Sequence, residues 1–156
     1  MMQFDPENNI VILCAQGMQL EGKGKPVEAA NQFQQAWNEA TTTTEKFIAA
    51  HYVARHQPTV ADKLKWDETA MDYALKIDNL EIKSAFPSLY LNIAKCYEDM
   101  NELDRAYDHY QLAFSFVSFL SDDGYGNMIK SGINKAIERV QLVRLNRTTA
   151  GERYNT

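Results

Sequence analysis

An all-α fold is what this sequence predicts, on three observations. Glycine and proline are scarce, 7 and 4 in 156 residues, so few positions interrupt a helix. Apolar residues recur at intervals of three and four along successive stretches, the period of one helix face. No run alternates apolar and polar residues between turn signals, so no strand competes. The breaks between stretches are short, which makes helices adjacent in sequence antiparallel neighbours in space.

Asp5-Pro6-Glu7 has the form of a helix start, with an Asp cap, a first-turn Pro and then an acid. The first helix is expected to reach about Leu20, with Ile10, Leu13, Gly17 and Leu20 on one stripe. The segment EGKGK breaks it, and Pro26 opens a second helix carrying Ala29, Ala30, Phe33, Ala36 and Trp37. Four threonines, 41–44, are poor helix formers and good caps. A third helix over about 44–56 presents Phe47, Ala50, Val53 and Ala54, and Gln57-Pro58-Thr59 ends it, because the residue before a proline avoids helical geometry. A fourth spans about 60–77 with Leu64, Trp66, Ala70, Met71, Ala74 and Ile77 inward, Trp66 being read as core. The fifth and sixth cover about 85–99 and 102–117. Ser121–Gly126 is the strongest loop, with its aspartates read as caps for the next helix. The seventh helix buries Ile129, Ile133, Ala136, Val140 and Val143. After Asn146 the composition turns polar and small. The expectation is one domain over 1–146 and a flexible polar tail over 147–156.

An internal repeat runs through these helices. Tyr90, Ile93, Ala94 and Tyr97 are followed by Ala106, Tyr110 and Ala113. Small residues at 94, 106 and 113 let two helices approach, and bulky ones at 90, 97 and 110 fill the gaps. Leu13 and Gly17, followed by Ala29, Phe33 and Ala36, fit the same frame. This spacing resembles the tetratricopeptide repeat, with Tyr for Trp, Ala for Gly and Tyr for Phe in the last unit. The usual proline is replaced by Ser118 and Thr41. The middle unit departs most: Ala74 and Met71 fit, but Asp67 falls in a small-residue slot. Unit spacings of 38 (Ala36 to Ala74) and 39 (Ala74 to Ala113) exceed the repeat's 34 residues, so the hairpins are stretched. The resemblance covers about 10–120. It implies a right-handed α-solenoid of about three such hairpins plus a C-terminal capping helix, in a small stand-alone protein of bacterial type. One hairpin cannot bury its own apolar face, so stacking is obligatory.

The bulk numbers exclude several classes. Hydrophobic residues at 45% and charged residues at 24% are ordinary for a folded chain. No apolar run approaches the roughly 20 residues that span a bilayer. The opening MMQFDPENNIVILCAQ has no basic region and no cleavage site, so no signal peptide is read and a cytoplasmic location is expected. A net charge of −5 speaks against bulk affinity for nucleic acid. The charge is uneven: from Gly126 on, Lys130, Lys135, Arg139, Arg144, Arg147 and Arg153 face only Glu138 and Glu152. That segment is either a basic strip for RNA or a solvated helix end whose cations suit the C-terminal dipole. Cys14 and Cys96 lie in apolar patterns and read as reduced, buried thiols. His51 and His56 are five apart, off the spacing of two ligands on one helix face, and His109 reads as solvent-facing. No metal site, cofactor-binding motif or nucleophile–base pair is found, so neither a cofactor nor a catalytic residue is expected.

What remains is a surface. In a stack of the resembled kind, the first helix of each hairpin lines a concave groove that holds a protein or peptide. The polar positions there are His51, Tyr52, Arg55 and His56 on the third helix and Asn92, Lys95 and Asp99 on the fifth. Arg55 and Lys95 beside Asn92 are similar in kind to residues with which some members hold a terminal carboxylate. The alternatives are a closed small-ligand or catalytic pocket at His51, Arg55 and His56, or pairing of His51 and Arg55 with Asp67 or Glu68. An uncapped end of the stack would also permit self-association into a homo-oligomer.

Overall fold

A computed structural model describes residues 4–154 of the chain. It is all-helical among the described residues, with α1 (Asn9–Gly22), α2 (Pro26–Glu39), α3 (Thr43–Val53), α4 (Val60–Ala74), α5 (Phe86–Asp99), α6 (Leu103–Ser115) and α7 (Gly124–Tyr154). Short 3-10 turns occupy Ala54–His56, Leu80–Ser84 and Val117–Phe119. The helices fall into two compact units, one ending at Ile82 with α1–α4 and one from Lys83 with α5–α7.

In the first unit α1 pairs with α2 and α3 with α4, and α3 also packs on both α1 and α2. The first helix starts later than its Asp-Pro-Glu signal suggests. Asp5–Glu7 form a turn in which Glu7 N–H donates to Asp5 Oδ1. Asn8 is the cap, its Oδ1 accepting from the N–H groups of Ile10 and Val11 at 2.9 and 3.2 Å. The threonine break resolves into a capping box of Thr42 and Glu45. Glu45 also accepts from Asn8 Nδ2 at 2.9 Å, so one carboxylate ties together the starts of α1 and α3. That Asn8 bond, with the Thr41 and Thr42 N–H groups, pulls its pKa down to about 2. Pro26 stands in the first turn of α2 as expected. Thr59 caps α4, which stops at Ala74, short of the expected 77.

The core of this unit is narrow because the small residues stand where the helices meet. Ala29, Ala36, Ala49, Ala50, Ala70 and Ala74 are fully buried beside Phe33. A Cβ built on Gly17 would lie 2.2 Å from the Phe33 ring, so α1 and α2 approach as closely as they do only because residue 17 has no side chain. Trp66 is half-buried and meets Trp37 edge-on at 4.9 Å between α2 and α4, at the margin of the core. Asp67 occupies its small-residue slot at 1% exposure and accepts from Lys63 Nζ at 2.5 Å.

The second unit repeats the first hairpin in register. The turn after α1 has Gly24 at φ 72°, with N–H bonds from Gly24 to Glu21 and from Lys25 to Leu20, both 2.9 Å. The turn after α5 has Asn101 at φ 63°, with N–H bonds from Asn101 to Glu98 and from Glu102 to Tyr97, both 2.9 Å. Both are Schellman closures with a left-handed residue after the helix. Gly17, Gly24, Ala29, Phe33 and Ala36 thus correspond to Ala94, Asn101, Ala106, Tyr110 and Ala113 at one constant offset in sequence. The α3/α4 hairpin lacks this turn and closes through a 3-10 turn and Pro58.

The seventh helix packs on α5 and α6 and buries Ile129, Ile133, Ala136 and Val140. Asp123 accepts from the Gly126 N–H at 2.8 Å, the capping role read for that loop. Val143, expected inside, is 38% exposed, because the inward stripe turns basic there. The helical backbone runs past Asn146 to Tyr154, taking in most of the segment read as a tail; residues 155 and 156 lie outside the described residues. A polar lock joins all three helices. Tyr110, fully buried on α6, donates to Glu98 Oε2 at 2.5 Å, and Arg139 grips Glu98 through two bonds of 2.7 and 2.8 Å. Arg139 and Tyr110 hold the Glu98 carboxyl below the usual range.

Two outcomes test this packing. Gly17→Ala is expected to lose roughly 1–3 kcal/mol by overpacking against Phe33, read from urea unfolding. Tyr110→Phe is expected to lose roughly 1.5–3 kcal/mol, and the loss should shrink as pH falls and the depressed Glu98 carboxyl protonates.

Candidate functional site

The third helix tightens from α to 3-10 geometry at Ala54, and the tightened turn carries Arg55 and His56. Both side chains end on one acid. Arg55 Nη2 lies 2.9 Å from Glu21 Oε2, and His56 Nε2 lies 2.6 Å from Glu21 Oε1. Phe33 forms the floor, stacked with Tyr52 at 5.2 Å and with His56 at 5.8 Å between centroids. The Arg55 guanidinium lies 5.8 Å over the Tyr52 ring. Three of the four α3 residues singled out in the sequence therefore converge, on Glu21 and Phe33. The acid they share comes from α1. Glu21 stood in the EGKGK break and had no chemical signature of its own, and Phe33 read only as core.

His51 stands apart from this ion cluster. Its ring meets Tyr52 edge-on at 5.4 Å, and its buried Nδ1 has no hydrogen-bond partner. Burial, reinforced by the charges of Arg55 and Lys63, pushes its pKa down to about 4, so the ring is neutral at pH 7.

On α5, Lys95 pairs with Asp99 one turn away, and both are solvent-exposed. Asn92 is half-buried on the same helix. These three belong to the second unit, and the four α3 residues to the first. His109, expected to face solvent, is half-buried: its ring packs at 5.0 Å from Tyr97, and its Nδ1 meets the Arg105 carbonyl at 2.8 Å.

Three arginines of the basic C-terminal segment are engaged within the fold. Arg139 holds Glu98, Arg144 pairs with Asp104 at 2.8 Å and lies 4.4 Å over Tyr107, and Arg147 donates to Asn101 Oδ1 at 2.6 Å. A groove of about 690 Å³ runs there between the start of α6 and the far part of α7, floored by Leu103 and Leu145. A smaller depression of about 150 Å³ lies between Asn8 and Ile48. Neither includes His51, Arg55 or His56.

Among the described residues no group of three or more His, Cys, Asp or Glu is placed to hold a metal ion. Cys14 and Cys96 are buried and not joined in a disulfide, and burial raises the Cys14 thiol to about 12, which keeps it protonated and unreactive. No described helix is long and apolar enough to cross a membrane.

The His51 site makes a pH prediction. The unfolded chain binds a proton near pH 6.5 that the buried ring refuses until about pH 4. Stability should therefore fall as pH drops through that window, by up to about 1.4 kcal/mol per pH unit. His51→Phe should flatten this slope in urea titrations between those pH values. Identical profiles for the two proteins would contradict the assignment.

No protein-family model, curated protein or solved structure matches this chain.

Proposed function

We propose that this chain is a cytoplasmic adaptor of tetratricopeptide-like build that holds a protein or peptide partner on the polar faces of the first helices of its hairpins. The observation that carries the reading is the register of α1/α2 and α5/α6. Two hairpins share the same left-handed turn, the same small contact residues and the same bulky ring at one constant sequence offset. Repetition of one helical unit is how such proteins build extended surfaces for other chains, with the chemistry of recognition supplied by non-core positions. On α3 and the 3-10 turn that ends it those positions are Tyr52, Arg55 and His56, with His51 one residue before them. On α5 they are Asn92, Lys95 and Asp99. Arginine and tyrosine are the residue types that most often dominate binding energy at protein interfaces.

The commitment of Arg139, Arg144 and Arg147 to Glu98, Asp104 and Asn101 weighs against the RNA reading of the C-terminal segment, because a phosphate would have to break those contacts.

The test is a partner isolated by affinity capture and then measured in purified form. Arg55→Ala and Lys95→Ala should each keep their helical circular dichroism and weaken that partner's binding by about tenfold. Full affinity in both variants would overturn the groove-face assignment.

A further inference from the structure

We propose that a second copy of this chain packs on the open side of α6 and α7, in the place that α4 holds against α2 and α3, so that the protein is a symmetric dimer joined through the far part of α7.

The internal repeat says what belongs on that side. The seventh helix stands to α5 and α6 as α3 stands to α1 and α2, for each packs on both helices of the hairpin before it. Each is also held by an arginine: Arg55, in the turn that ends α3, on Glu21, and Arg139 on Glu98. Glu98 follows Glu21 by the same offset that relates Ala94 to Gly17. In the first unit a further helix covers the outer side. There α4 sets Trp66 and Tyr73 edge-on against Trp37 of α2, at 4.9 and 6.1 Å. By the same offset Phe114 of α6 holds the position of Trp37, and it is 45% exposed. Leu103 and Tyr107 share a helical face with Phe114. At the end of that face Leu103 and Leu145 floor the groove of about 690 Å³. The chain turns back at Ala54–His56 to lay α4 over α3, whereas α7 runs on as one helix to Tyr154. The helix that covers α6 and α7 therefore comes from another molecule.

That molecule is a second copy because α7 itself carries what the groove lacks. Past Val140 none of residues 141–151 is buried. Leu142 and Leu145 nevertheless stand on one side of the helix, 61% and 57% exposed. Helical stability in proteins comes mostly from packing an apolar face, and this stretch packs none within its own unit. A twofold axis beside Leu142 and Leu145 sets the two α7 helices antiparallel and brings each into the other copy's groove. One self-complementary contact then covers both grooves and closes, with no free end left to extend. The basic composition of the stretch does not oppose the pairing, since Asp104 neutralises Arg144 and Glu102 neutralises Arg105, at 2.8 and 3.1 Å.

The experiment is sedimentation velocity on the full-length protein from about 1 μM to about 1 mM. A dimer should form within that range. Leu142→Glu/Leu145→Glu should weaken it by about tenfold or more and keep its helical circular dichroism, because both side chains are exposed. Phe114→Glu, on the groove wall and outside α7, should weaken it as well. Nitroxide labels on Leu145→Cys should broaden one another's spectra in the dimer, and they decide the matter if the glutamate variants unfold. A monomer throughout the range overturns the proposal. So does a dimer that keeps its affinity in both variants, or one whose labels do not interact, because another face then joins the copies. A monomer whose captured partner is lost in Leu142→Glu/Leu145→Glu also overturns it and gives the groove to a different chain. The adaptor reading is tested separately, at Arg55 and Lys95, and stands or falls without this dimer.

Discussion

The close approach of two helices across a three-residue connection is the constraint from which the rest follows. A left-handed residue at Gly24, and again at Asn101, reverses the chain at once, so the second helix must lie directly against the first. Helices that near leave room for little beyond hydrogen or methyl groups at the crossing. Gly17 against Phe33 is the extreme case, and Ala29 and Ala36 continue it along α2. The buried rings also reach beyond the crossing: Phe33 stacks with Tyr52 and His56, and Tyr110 donates to Glu98.

Polar contacts add specificity to this apolar scheme. Tyr110, Glu98 and Arg139 satisfy one another across three helices, so the placement of α7 depends on a matched triad as well as on Ile133 and Val140. The exposed ion pairs around it, such as Lys95 with Asp99, contribute little by comparison. Asp67 is the counterpart in the first unit. A carboxylate fully removed from water is costly unless paired, and Lys63 supplies the pair. Its presence where the other hairpins carry alanine marks the α3/α4 hairpin as a variant of the repeat, as does its different turn.

The arrangement at Glu21 shows how packed helices gather a polar cluster from positions that look unremarkable. The 3-10 turn at Ala54–His56 carries two consecutive basic residues. In a regular helix consecutive residues point about 100° apart and do not share a partner. Here the two side chains bend onto one carboxylate, with the Phe33 ring stacked against His56.

Helix existence, order and the buried faces were legible in the sequence, because a 3.6-residue period of apolar positions and the Pro, Thr and Asp signals at helix starts are local properties. Ala94, Ala106, Tyr110 and Ala113 were placed correctly for that reason, and the match of the first hairpin to the last was visible in their spacing. Helix ends were less legible. Asn8 displaced Asp5 as the cap of α1 because a side-chain acceptor two residues before the first free N–H groups competes better than one further back. The partners of charged residues were not legible at all. Arg55 could reach α4 or α1 by sequence distance, and only the packed hairpins bring Glu21 within 2.9 Å. Likewise Arg139, Arg144 and Arg147 read as free basic residues until the packing of α7 on α5 and α6 supplied their acceptors. Periodicity encodes which face is buried; which acid meets which base depends on distances between segments that are remote in sequence, and those exist only once the helices have packed.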